Sequence, residues 1–378
     1  MILVSITALF TVAYLGLVVY FIRGWRRLPE AHVPPDFVAD LSVTLIVPSR
    51  NEEEHLPRCL DSLLQQNYPK QLLDVVVVND HSEDNTLAIA KRYEQHHFRV
   101  IDLKDHERPD TRSYKKLAID TAIQSSQSSL IVTLDADCTV DFNWLTSMVS
   151  ALKQSGDVCV LGPVMINSKD DFFASIQALD IASLTGVAAA TAGWDRPLLA
   201  NGANMCYARE AYLGVNGLVE SQHITSGDDM FLLQKFVKRF PNKITYCKSP
   251  DAVVYTQPEP DFVSFFNQRL RWASKSGSFK DVGTLAVVAF VYLFDVLLLV
   301  NAIAAVNSRI HFNAFLLQLL VKCFADIFFL REVTTFFNQR QLLDIFLPTQ
   351  LFRLVYVVLT GAVAWFVPVR WKGRKVYR

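Results

Sequence analysis

Apolar and polar positions divide this chain into three zones. Residues 1–22 (MILVSITALFTVAYLGLVVYFI) are apolar and carry no charge. Roughly 20 helical residues cross a hydrocarbon core of about 30 Å. The run has no basic leader and no small-residue cleavage site follows, so it predicts a membrane helix rather than a cleaved signal peptide. Arg23, Arg26 and Arg27 follow at once; positive flanks stay in the cytoplasm, which places the middle zone there after a linker over 23–41. Three more apolar stretches cover 283–306, 312–330 and 343–369, within a C-terminal region of 281–369. The first is broken by Asp295, the second by Lys322 and Asp326, and the third by Pro348 and Arg353. One segment before and three after would put the basic tail, 370–378, opposite the middle zone, against the positive-inside rule. Either 343–369 is partly re-entrant around Pro348, or 312–330 lies at the interface.

The middle zone, 42–260, has a different rhythm. SVTLIVP (42–48), LLDVVVVND (72–80), a segment near 98–102 and SLIVTLDAD (129–137) are short runs rich in β-branched residues. NEEEHLPRCLDSLLQQ, a segment around 84–95 and one from Ser113 read as helices between them. Continuous apolar strands alternating with helices predict a parallel sheet covered on both faces. Ligands of such sheets sit at the carboxyl ends of the strands. Three strands end in reactive residues: Pro48 to Glu52, Asn79-Asp80, and Asp135-Ala136-Asp137. Residues 261–280 predict an amphipathic helix at the membrane surface.

Composition adds little beyond this. The chain has 378 residues, 51% of them hydrophobic, and zero formal net charge. No bulk field points to a nucleic-acid partner. The six cysteines form no CxxC pair and no metal-ligand spacing, which fits idle thiols in a reducing compartment.

The candidate chemistry lies in acidic and cationic motifs. Asp135 and Asp137 leave a strand two residues apart. They read either as hard oxygen ligands for Mg²⁺ or Mn²⁺ bridging a diphosphate, or as a solvated pair opening a turn. Gly227-Asp228-Asp229 precedes a helical run, so its carboxylates read as a helix cap or as a general base in a cleft. Gln268-Arg269-Leu270-Arg271-Trp272 offers a guanidinium fork for diphosphate and a flat ring for a sugar, or else anchors the interface. Between the acidic motifs, Gly202 and Ala203 lie in a small-residue stretch that would let an acceptor approach the backbone or simply form a tight turn. Trp194 and His223 are candidates for the acceptor edge, with a surface loop the plainer reading for His223. Lys322 and Asp326, four apart, read as an i,i+4 pair on an interfacial helix or as a functional pair in acceptor passage.

Taken in order, VPSRNEE, Asp80 in VVNDHSEDNT, Lys115 in SYKKLAIDTAI, Asp135-Ala136-Asp137, Gly227-Asp228-Asp229 and Gln268 to Trp272 resemble the membrane-embedded family 2 glycosyltransferases. That group is similar to cellulose, chitin and hyaluronan synthases and to ceramide and glycolipid glucosyltransferases. The resemblance covers about 42–275, and the WKGR element recurs among glycolipid-forming members. It implies an α/β GT-A fold. It also implies that Pro48, Asn51 and Glu52 line a nucleotide pocket and that Asp80 bonds the base. Lys115, in preference to Lys116, lies near the phosphates. Asp135 is the donor-side carboxylate and Asp137 the one most directly on a divalent metal. Asp229 becomes the general base, with Asp228 in support. Gln268, Arg269, Arg271 and Trp272 cradle diphosphate and acceptor. Two departures stand out: no glycine precedes the lysine, and the base motif reads GDD rather than Thr-Glu-Asp.

The implied activity is inverting transfer from a UDP-sugar, with a GDP-sugar as the alternative donor. The acceptor would be a membrane lipid, a lipid-linked molecule or a glycan, and no nucleophilic residue is required. The implied location is a bacterial plasma membrane. A processive synthase is the second reading, although four membrane segments are few for a polymer channel unless chains associate. A non-catalytic scaffold has no need of so many intact carboxylates. A transporter would show paired spanning repeats.

Overall fold

A computed structural model describes residues 2–96, 98–106, 112–168, 171–221, 224–225, 227–275, 281–364, 366–367 and 369–375. His223 and the end of the interfacial segment, 276–280, lie outside the described residues. In chain order the strands are β1 (Val43–Ser49), β2 (Leu73–Asn79), β3 (Arg99–Asp102), β4 (Leu130–Thr133), β5 (Thr139–Val140), β6 (Cys159–Leu161), β7 (Val164–Ile166), β8 (Met205–Ala208), β9 (Ile244–Tyr246), β10 (Val254–Thr256), β11 (Arg370–Trp371) and β12 (Arg374–Lys375). The α-helices are α1 (Ile2–Arg27), α2 (Leu56–Leu64), α3 (Thr86–Arg92), α4 (Tyr114–Gln124), α5 (Trp144–Ser155), α6 (Phe172–Ala192), α7 (Arg209–Gly214), α8 (Asp228–Arg239), α9 (Phe262–Ala273), α10 (Val282–Ala304), α11 (Arg309–Phe336) and α12 (Phe346–Val363).

A seven-stranded sheet runs β3-β2-β1-β4-β8-β6-β9. Successive side chains on β1 and β2 point to opposite faces, and both faces are covered. Ile46, Val76 and Val78 pack with Leu117 of α4 and Leu179 of α6, whereas Leu45, Val47 and Val77 pack with Leu60 of α2 and Leu145 of α5. This double burial is why these strands read as unbroken apolar runs. The sheet is mixed, not wholly parallel: β3, β2, β1 and β4 are parallel, but β8 runs antiparallel to β4 and β6. The chain reaches β8 through α6 and a loop rather than a βαβ crossover, so the handedness rule does not fix its direction. A smaller sheet orders as β5-β10-β7.

The run after β1 is not helical from its start. Asn51 sits in the left-handed region at φ 49°, and α2 begins only at Leu56, with Pro57 in its first turn. Proline lacks the N–H that a first turn does not need, which fixes that start. The turn keeps Glu52 at the carboxyl end of β1.

Among the described residues five helices are long and apolar enough to cross a membrane: α1, α6, α10, α11 and the segment ending in α12. The sequence reading missed α6, which lies inside the middle zone. It is the most enclosed of the five, because α1 and α11 cover it on one side and β7 on another. A Cβ at Gly24 of α1 would fall 2.1 Å from the Ala190 carbonyl oxygen of α6. The missing side chain lets the two backbones touch.

At one end of this bundle Trp25 meets Phe336 edge-on, with ring centroids 5.6 Å apart, and Arg26 pairs with Glu332. At the other end Asn301 Nδ2 donates to Thr7 Oγ1 at 2.8 Å. Lys322 and Asp326 do pair, at 2.6 Å, but they are buried in protein rather than exposed at an interface. Tyr14 and Gln350 complete the cluster, as donor to Asp326 and acceptor from Lys322.

The tail returns to the α/β domain. Leu270 of α9 packs with Ala364 and Val369. β11 and β12 then form a hairpin whose central residues, Lys372 (φ 45°) and Gly373 (φ 79°), both have positive φ, as a two-residue turn that matches strand twist requires.

Candidate active site

The carboxyl ends of β1, β2 and β4, the start of α8 and the helix α9 converge on one acidic cleft. Asp135 and Asp137 follow β4, and Lys115 stands in the first turn of α4. Lys115 Nζ donates to Asp135 Oδ1 at 2.6 Å and lies 3.6 Å from Asp228 Oδ2, joining the two acidic motifs. Burial opposes its charge, but Asp135 and Asp228 outweigh burial and hold its pKa above that of an ordinary lysine. Lys116 faces elsewhere: its Nζ donates to the carbonyls of Ser221 and Ile224 and sits over the Phe231 ring.

The two carboxylates at the start of α8 are held differently. Burial disfavours the charge on Asp228, yet Lys115, Lys275 and Lys116 prevail and keep it below the usual carboxylate range. Asp229 is raised by burial and by Asp228 beside it, against the pull of Lys275. Asp229 Oδ2 accepts from the Gly202 N–H at 3.3 Å, and its Oδ1 accepts from the Met230 N–H at 2.7 Å. A Cβ on Gly202 would lie 3.0 Å from Asp228 Oδ2, so glycine permits this approach. Ala203 is buried in the hydrophobic core with Cys206 instead of facing the cleft.

At the other side of the cleft, burial raises Asp137, and the neighbouring Asp135 adds to it. Thr256 Oγ1 donates to Asp137 Oδ2 at 3.3 Å. Burial likewise lifts Glu52 to about 7, opposed by Lys372 and reinforced by Asp137 and Asp135. Among the described residues no three His, Cys, Asp or Glu side chains are arranged to hold a metal ion. The carboxylate pair still suits Mg²⁺ or Mn²⁺, which bind through one or two protein carboxylates plus phosphate oxygens.

The residues expected on the nucleotide side gather around Asp80. Asn51 donates its N–H to Ser82 Oγ and accepts the Glu83 N–H, which ties the β1 and β2 ends together. Pro48 pairs in register with Val78. Two cations of the WKGR element, to which the sequence assigned no role, enter here from the tail hairpin. Lys372 Nζ donates to the Arg50 carbonyl at 2.6 Å and pairs with Glu52. Arg374 donates to Asp80 and lies over the Tyr114 ring at 3.9 Å.

On α9, Arg271 is surrounded by the fields of Asp135, Glu259, Asp228 and Asp229, while burial pulls its pKa down. Arg269, expected at the diphosphate, turns the other way and pairs with Asp180 of α6 at 2.8 Å. Gln268 donates to Glu259 Oε1 at 2.5 Å, and Trp272 packs under the Arg269 guanidinium at 4.3 Å. Trp194, expected at the acceptor edge, instead stacks on Tyr20 of α1 with centroids 5.2 Å apart. Its Nε1 donates to the Tyr20 carbonyl.

Residues 44–190 match the Glycosyl transferase family 2 profile, and residues 130–369 match that of Glycosyl transferase family group 2. The chain belongs to the family 2 glycosyltransferases. This glycosyltransferase is 31% identical over 122 residues to Glycosyltransferase AglE of Haloferax volcanii, covering 32% of this chain and 39% of that one. It is 27% identical over 282 residues to an N-acetylglucosaminyltransferase of Rhizobium meliloti, covering 71% and 64%. A poly-beta-1,6-N-acetyl-D-glucosamine synthase of Staphylococcus epidermidis matches at 26% over 146 residues, covering 38% and 34%. The glycosyltransferase thus spans less than two thirds of the length of these curated relatives. In fold it is similar to the mannosyltransferase PcManGT from Pyrobaculum calidifontis, solved with GDP-Man and Mn²⁺. The TM-score is 0.59 at 19% identity, over 96% of this chain and 99% of that one.

Proposed function

We propose that this glycosyltransferase moves a sugar from a nucleotide-diphosphate sugar to a membrane lipid or lipid-linked acceptor, with inversion at the anomeric carbon. The observation that carries the reading is the Lys115 bridge from Asp135 to Asp228, which brings both acidic motifs into one cleft facing Arg271. UDP is the favoured donor nucleotide. GDP stays open, since the mannosyltransferase of similar fold was solved with GDP-Man.

Asp229 takes the proton from an acceptor hydroxyl, and its raised basicity suits that role. The acceptor oxygen forms a bond to the anomeric carbon as the bond to the diphosphate oxygen breaks, and the electron pair leaves with the diphosphate. Arg271 and Lys115 face that developing charge. Asp228 stays ionised and keeps Lys115 in place. Asp80, with Pro48 and Asn51, holds the base. Asp137 and Asp135 would hold a divalent cation, which supplies Lewis-acid charge at the diphosphate. One displacement suffices, so an α-linked donor gives a β-linked product.

Membrane insertion with a cytoplasmic catalytic face is supported by the apolar helices and by Arg23, Arg26 and Arg27 at the domain end of α1. Crossings by α1, α10 and α11, with α12 lying along α9 and α6, keep the tail on the domain side. That arrangement accords with the Lys372 and Arg374 contacts and removes the conflict with the positive-inside rule.

The test is turnover of a panel of UDP- and GDP-sugars by purified protein with Mg²⁺ or Mn²⁺ and a membrane-lipid extract, products separated by length. A discrete glycolipid is expected. A ladder of long products would replace this reading with a processive synthase.

A further inference from the structure

Helix α6 belongs to none of the motifs that mark the site, yet it grips the helix that carries one of them. Adjacent helical positions differ by about 100°, so Arg269 and Arg271 project from nearly opposite faces of α9. Arg271 faces the cleft carboxylates, and Arg269 faces Asp180, which is 5% exposed. Asp180 uses both oxygens. Its Oδ2 accepts from Arg269 Nε at 3.1 Å and Nη2 at 2.8 Å, and its Oδ1 accepts from Tyr356 OH of α12 at 2.6 Å. Arg353 Nε of α12 also lies 3.9 Å from Oδ1, so one carboxylate balances two guanidinium groups.

The grip extends along the motif. The Arg269 guanidinium lies between the rings of Phe265 and Trp272, at 4.4 and 4.3 Å. Its Nη1 donates to Gln268 Oε1. Gln268 in turn donates to Glu259, whose backbone is bonded in both directions to Gln177, about one turn before Asp180 on α6. Gln268, Arg269 and Trp272 are therefore fastened to α6, while Arg271 stands on the opposite face of α9, in the field of the cleft carboxylates.

We propose that Asp180 is a positioning residue for sugar transfer: acting through Arg269, it sets the roll of α9 and so aims Arg271 and Trp272. The inference rests on the glycosyl-transfer reading of the site. Without the Asp180 charge, Arg269 and Arg353 repel each other in a buried space, and α9 rolls to relieve them. Misplacement of a catalytic group by about an ångström costs on the order of 10²-fold in rate.

The experiment compares full-length wild type, D180N, Y356F and D180N/R269Q in detergent, by kcat, nucleotide Kd and hydrogen exchange over residues 262–275. The expected result is a kcat lower by about 10²-fold in D180N, with nucleotide Kd within about twofold of wild type. Y356F should fall less, and the double variant should be no worse than D180N, since both changes break one interaction. A folded D180N with unchanged kcat, or with Kd weakening in step with kcat, overturns the proposal. If D180N does not fold, Y356F decides, and an unchanged kcat there overturns it. A wild type that transfers no sugar from any donor sinks the glycosyl-transfer reading instead. Exchange over 262–275 then decides the positioning role, which requires it to rise in D180N.

Discussion

Arg374 reaches both carboxylate oxygens of Asp80, at 2.7 and 2.8 Å, across a sequence separation of 294 residues. The last strand pair thereby joins the part of the cleft proposed for the nucleotide. Glu52, Asp80, Asp135 and Asp137 crowd that side with negative charge, and Lys372 and Arg374 offset it. An anionic nucleotide meets a more hostile field once either cation is gone. Arg374→Ala should weaken nucleotide affinity about tenfold, close to the ~1.4 kcal/mol expected from losing one charge-assisted contact. Nucleotide titration of the two proteins checks this. Tighter binding in the variant would mean that the hairpin blocks the site rather than supporting it.

Gly202 makes a separate prediction. Its backbone N–H holds Asp229, and a methyl group there would press on Asp228 Oδ2 at 3.0 Å. Gly202→Ala should push the carboxylates apart by a few tenths of an ångström without unfolding the protein. A drop in kcat of about tenfold, ~1.4 kcal/mol in the barrier, is expected with the melting temperature nearly unchanged. Loss of folding, or full activity, would each contradict the close-approach argument.

Lys116 predicts a pH dependence of stability. Burial lowers its pKa from the ordinary 10.5 to about 8 in the folded protein. Between pH 8 and 10.5 the unfolded chain binds more protons than the folded one, so stability rises with pH across that window. The gain is at most about 3 kcal/mol. Denaturation midpoints measured across the window should climb more steeply for wild type than for Lys116→Met. A wild-type profile no steeper than the variant's would refute the assignment.

Much of this architecture was legible in the sequence because the signals are local. Double burial writes unbroken apolar strands, so β1, β2 and β4 fall close to their expected places. The reactive residues at their ends follow from sheet geometry. The membrane-length runs of α1, α10 and α11 are equally local. What stayed hidden depends on distant partners. Helix α6 stayed hidden because the partners of its polar residues are distant in sequence: Gln177 bonds to Glu259 in the loop before α9, and Asp180 bonds to Arg269 of α9 and Tyr356 of α12. The opposite facing of Arg269 and Arg271 follows from helical periodicity, but only the position of Asp180 shows which one the cleft receives. The return of Lys372 to Glu52 and of Arg374 to Asp80 had two sequence signals, the WKGR element and the conflict between an odd number of C-terminal crossings and the basic tail. The antiparallel β8 had none, since its direction is set by the path of α6.

Asp229 is proposed to draw the acceptor proton in a single inverting displacement. The direct measurement is sugar transfer by purified wild type and Asp229→Asn from a donor accepted by the wild type, with nucleotide affinity followed in parallel and the product's anomeric configuration read by NMR. The expected result is a β-linked product from an α-linked donor, and a loss of turnover of several orders of magnitude in the variant at nearly unchanged nucleotide affinity. A retained α configuration, or an Asp229→Asn protein that turns over like wild type, would contradict it.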